Sequence, residues 1–142
     1  MRLTMKRNKK GFTLLEIIIV IIIVGVLASL ALPRFFSTVE YSRSTEALSS
    51  VSAVRQSMER CYLQRNGTYA GCTDFTTLDL NDPGTSPNAH FTYTIGGLSA
   101  TGYTLTATRN TRDGGSTADI IAVTQTATGV TRSGVGAFKG IQ

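Results

Sequence analysis

At 142 residues the chain holds 14 lysines and arginines against 9 aspartates and glutamates, a formal +5 that by itself suggests a nucleic acid or an anionic membrane surface as partner. The distribution excludes that reading: Arg2, Lys6, Arg7, Lys9 and Lys10 fall in the first eleven positions with no acid among them, and nine basic and nine acidic side chains remain beyond. The basic start instead sets topology, because Lys and Arg flanking an apolar helix stay on the cytoplasmic side.

Residues 12–33 follow as an apolar run, about 33 Å long as a helix, enough to cross a ~30 Å hydrocarbon core. Everything after Pro33 then lies outside the cytoplasm. The run contains one acid, Glu16, and no basic residue before Arg34. A carboxylate there costs about 2.5–3.5 kcal/mol on insertion scales, so it is read as functional unless a structural use is evident. None is evident in the sequence. A cut between Gly11 and Phe12 would create an α-amino cation one helical turn from Glu16, equally available to a neighbouring copy.

Gly11, Phe12, Thr13, Leu14, Leu15 and Glu16, followed by the apolar residues 17–27, resemble the type III signal segment of type IV prepilins and pseudopilins. The resemblance covers residues 6 to about 70. In that family a membrane peptidase cuts after the glycine and methylates the exposed phenylalanine amine. It therefore implies cleavage between Gly11 and Phe12, N-methylation of Phe12, and a role for Glu16 in neutralising a neighbouring subunit's amine during assembly. The partners implied are the prepilin peptidase, an inner-membrane assembly platform, related minor pilins, and copies of the chain in a homo-oligomeric helical filament. Two other readings compete. A secretory signal would cut near Ser29, Leu30 and Ala31, but its apolar region would exceed the usual ~7–15 residues and Pro33 would sit just beyond the cut. An uncleaved single-pass anchor explains the length and leaves Glu16 without a partner.

Pro33 removes a backbone hydrogen bond, and Gly25 weakens the same stretch, so a kink or local unwinding is expected between residues 29 and 33. By resemblance these are positions of helix breakers that melt in assembled filaments. From Arg34 to about Arg65 the pattern turns amphipathic: Ala47, Val51, Val54, Met58, Cys61 and Tyr62 recur at spacings of three and four. Glu40, Arg43, Glu46, Arg55, Glu59 and Arg60 are assigned to the opposite, solvated face, with Arg55 and Glu59 spaced to pair. Asn66 and Gly67 suit a left-handed cap at the helix end.

Residues 68–88 read as a loop with turns at Asp82-Pro83-Gly84 and Ser86-Pro87-Asn88. Alternation then predicts strands at 91–95, 103–107 and 120–126, with a weaker one in 129–138. The expected fold is α+β, a long N-terminal helix whose second half packs on a three- to four-stranded antiparallel sheet. The domains are 1–11, a cleaved basic leader; 12–36, a transmembrane and filament-core helix; and 37–142, a globular head with helix to about 66, loop at 67–89 and sheet at 90–138. About 75 residues after the helix bury little alone, so the helix stripe must supply half the core.

Cys61 and Cys72 are the only cysteines. In an oxidising exterior they are expected to form a disulfide closing a loop of about a dozen residues; the alternatives are two free, partly buried thiols, or a metal site with His90 as the third ligand. His90, alone at a strand start, reads as structural. The Asn66-Gly67-Thr68 triplet reads as the helix cap rather than a glycan site. Phe35, Phe36 and Tyr41 read as packing aromatics. In the major pseudopilins of type II secretion, a loop equivalent to the one flanked by Asp113 and Asp119 binds calcium; two acids six apart do not by themselves make such a loop. No catalytic set, phosphate loop or metal cluster is legible, so no enzyme activity, cofactor or metal is expected.

The expected function is a structural subunit of a type IV pilus, serving adhesion, twitching movement or DNA uptake. It would be single-pass in the inner membrane before assembly and extracellular or periplasmic afterwards. The alternatives are a pseudopilin of a type II secretion system and a membrane-anchored binding domain that does not polymerise.

Overall fold

Helix α1, Leu14–Gln64, is the longest element of the computed structural model, which describes residues 11–141. The expected leader, apart from Gly11, lies outside the described residues. The chain divides into two units, Met1–Phe36 and Ser37–Gln142.

In the first unit, Gly11, Phe12 and Thr13 precede the helix as irregular backbone. An 18-residue window of the helix reaches a mean hydropathy of 3.0 with none of it buried, so by length and composition it can cross a membrane. Phe12 is 77% exposed, and the leucines, isoleucines and valines from Leu14 to Leu32 are also exposed. An apolar surface of this extent marks contact with lipid or protein. Gly25 and Pro33 both lie inside α1, with helical structure on either side of each.

In the second unit the C-terminal part of α1 packs on four antiparallel strands: β1 Phe91–Gly96, β2 Tyr103–Arg109, β3 Ile120–Thr126 and β4 Gly129–Val135. They pair in the order β1-β2-β3-β4, a meander with Tyr93 opposite Ala107 and Leu105 opposite Val123. Alternation along the strands turns Phe91, Tyr93, Tyr103, Leu105, Ala107, Ile121 and Val123 inward, against Ala47, Val51, Val54, Met58 and Cys61 of the helix. The fold is α+β as the periodicities predict. The fourth strand ends at Val135, where a 3₁₀ turn, Gly136–Phe138, folds Phe138 into the core. Gly134 makes this reversal feasible, because a Cβ there would collide with the Phe138 carbonyl.

The helix ends as expected. Asn66 (φ 58°) and Gly67 (φ 81°) are left-handed, and the Gly67 N–H donates to Tyr62 O at 2.9 Å, the longer bond of a Schellman cap. Cys61 and Cys72 are joined in a disulfide. It ties the loop to α1, and the loop in turn supplies Tyr69 and Leu78 to the core.

Candidate functional site

Two places in the chain concentrate chemistry. The first is the start of α1. Thr13 sits immediately before the helix, and its Oγ1 accepts a hydrogen bond from the Glu16 N–H at 3.2 Å. That is one half of a capping box, in which a threonine N-cap and a glutamate three residues on satisfy free amides at the helix start. The Thr13–Glu16 spacing was readable in the sequence, and the bond it makes uses the backbone N–H of Glu16. Its carboxylate also lies in the first turn, where the helix dipole favours an anion. Gly11 and Phe12, on either side of the expected cut, are exposed.

The second place lies in the head, where Glu40, Arg43 and Glu46 of α1 meet the end of β2 and its following loop. Arg109 is fully buried, and Glu40 receives it in a two-point pair, Nε to Oε2 at 3.0 Å and Nη2 to Oε1 at 3.2 Å. Its remaining donors reach the carbonyls of His90, Asn110 and Arg112. A buried guanidinium is tolerable only with such full pairing. Gly115 packs so close that a Cβ there would lie 2.5 Å from the Arg109 guanidinium carbon. His90 Nδ1 lies 2.8 Å from Glu46 and its Nε2 lies 3.0 Å from Asp113, which also accepts from Arg43 at 3.2 Å. The hydrogen bonds from His90, then from Arg43, hold the Asp113 carboxyl below its ordinary range.

This arrangement corrects the assignment of Glu40, Arg43 and Glu46 to a solvated face. Glu40 lies seven residues before Ala47, which is the same side of the helix, so it continues the buried stripe toward the N-terminus. Glu59 stays exposed, as assigned, while accepting from the Tyr69 hydroxyl at 2.9 Å. Burial first, and that carboxylate second, push the Tyr69 phenol well above its ordinary value. With Glu59 so engaged, no Arg55–Glu59 ion pair forms among the described residues. Asp119, the other acid of the suspected calcium loop, accepts from the Ala137 N–H at 2.8 Å. Phe35 and Phe36 stack edge to face at 6.1 Å on the apolar unit.

These features, an apolar helix entered through a capped Thr-x-x-Glu turn and a disulfide-tied head on a four-stranded meander, define a protein of the type IV pilin class. Residues 6–32 match the prokaryotic N-terminal methylation motif. Residues 33–119 match the family described as type IV minor pilin ComP, DNA uptake sequence receptor, and the chain belongs to that family. Among curated relatives, the type IV major fimbrial protein FimA of Dichelobacter nodosus is 37% identical over 78 residues, 53% of this chain and 50% of that protein. The type II secretion system core protein G of Aeromonas hydrophila is 38% identical over 61 residues, 43% of each chain. A fimbrial protein of Pseudomonas aeruginosa is 39% identical over 58 residues, 41% of this chain and 38% of that protein. The chain thus spans half or less of the length of these relatives.

Proposed function

We propose that the chain is a structural subunit, not an enzyme, of a type IV pilus. It waits as a single-pass protein of the inner membrane, is cut after Gly11 by a prepilin peptidase and methylated on Phe12. The assembly platform then draws it into a helical filament outside the cytoplasm, where Glu16 neutralises a neighbour's amine and the helix relaxes near Gly25 and Pro33. The observation that carries this reading is the exposed apolar helix with its single acid three residues inside the N-cap. The methylation motif and the fimbrial relatives support it.

The family's description favours DNA uptake among pilus roles. From Ser37 onward acidic and basic side chains are equal in number, so DNA contact would rest on a local cluster rather than on net charge. The likeness to core protein G keeps the secretion pseudopilus as the second reading.

Glu16→Gln separates the two uses of the acid, because glutamine serves a capping box equally well but carries no charge. Losing one partner of a buried ion pair costs ~3–5 kcal/mol. Glu16→Gln and Glu16→Ala should therefore both leave processed subunit in the inner membrane and no surface fibres in a sheared fraction. Normal fibre yield from Glu16→Gln, with loss only in Glu16→Ala, would reduce the acid to a helix cap. Normal yield from both would favour the non-polymerising anchored domain.

A further inference from the structure

Arg55 of α1 and Arg132 of β4 line a hollow of about 240 Å³ with Leu48, Val51, Ser52 and Val123. Neither arginine makes an ion pair among the described residues, and Arg55 Nε is shielded from solvent without a hydrogen-bond partner. The Arg55 guanidinium neighbours the Tyr103 hydroxyl, which is also buried, so the exposed Arg132 is the one open to an incoming carboxylate. Arg132 stands exposed on an edge strand, so the hollow opens at the margin of the sheet.

The other margin carries acids on its loop, beside Arg60 of the helix. Residues 71–89 hold Asp74, Asp79 and Asp82 and no lysine, arginine or histidine. This segment flanks β1: a Cβ on Gly84 would lie 3.2 Å from the Phe91 carbonyl. Thr77, Leu78 and Asp79 lie beside Ser57, Arg60 and Gln64 of the helix. At ~100° per residue, Leu48, Ser52 and Arg55 fall on one side of the buried helix stripe, and Ser57, Arg60 and Gln64 on the other. Of the three acids, Asp74 is engaged by Thr77 and Asp82 by the Gly84 N–H. Asp79 is exposed in a left-handed backbone conformation (φ 52°), with no hydrogen bond to its carboxylate among the described residues.

We propose that these two margins dock on each other between copies of this chain, Arg132 of one head receiving Asp79 of the next. The proposal rests on the filament reading. Two different patches in contact make a heterologous interface, which repeats into an open helical assembly when the rotation does not close. A two-fold pairing of the arginine margin with itself would set like charges together.

Arg132→Lys keeps the charge and adds an amine that a zero-length carbodiimide can couple to a touching carboxylate. Sheared fibres of this variant should yield covalent dimers on denaturing gels, with peptides joining position 132 to Asp79. Wild-type fibres give the background, since Lys139 is the one lysine beyond the leader. Arg132→Glu should lower fibre yield at least tenfold with normal levels of processed subunit in the membrane, and adding Asp79→Arg should restore it. Fibres that contain the chain but give no dimer, a link to another protein, or a charge swap without rescue each overturn the interface. Absence of the wild-type chain from sheared fibres would instead overturn the filament reading itself.

Discussion

Asp113 shows how a single exposed carboxylate is recruited by tertiary structure. His90 and Arg43 both stabilise its ionised form, so its pKa in the folded chain lies below the unfolded value of about 3.9. A depressed carboxylate contributes stability above its unfolded value and loses that contribution as pH falls through the folded one. Asp113→Asn should therefore unfold at a lower temperature than wild type at pH 7, and the two melting curves should converge in acid below the folded value. Thermal unfolding of the full chain in detergent across pH 2 to 7 measures this. A gap that stays constant through the acid range would show that the carboxylate's charge contributes nothing.

At the scale of elements, the junction between α1 and the following loop is held three ways. The left-handed pair Asn66 and Gly67 turns the chain, Tyr69 packs between Tyr62 and Tyr103 at ring distances of 4.5 and 4.8 Å, and the disulfide closes the circuit. Cross-linking residues 11 apart restricts the unfolded chain by an amount worth ~3 kcal/mol on the chain-entropy model. Replacing both cysteines by serine should lower thermal stability by about that amount, read from the shift in unfolding midpoint. In native wild-type fibres, alkylation without reduction should label neither cysteine; labelling of both would mean that packing alone holds the loop.

For the whole molecule, the proposed cleavage after Gly11 would change the net charge. The uncut chain carries +5, five of its positive charges in the first eleven residues, and removal of those residues leaves a formally neutral chain. On the proposed reading a basic leader would orient insertion, and a neutral subunit would avoid long-range repulsion between packed copies. Intact-mass measurement of the exported chain should show loss of residues 1–11 and one added methyl group. Loss of residues 1–31 would support the secretory alternative.

Much was legible before the structure because it is set by local periodicity and length. An apolar run long enough to span a bilayer, a three-and-four stripe, alternating strands and an Asn-Gly helix end each follow from a few consecutive residues, and each appears where expected. Even the cap on Glu16 was present as a four-residue spacing. Only tertiary structure decided the destinations of the charges. Arg109 meets Glu40 across 69 positions, and Glu46 meets His90 across 44. Whether a helix carboxylate faces water or a guanidinium depends on which strand end the fold brings beside it. No local pattern encodes that juxtaposition, because side-chain pairing is settled by distance in space, and distance in space is fixed only once the sheet has closed over the helix.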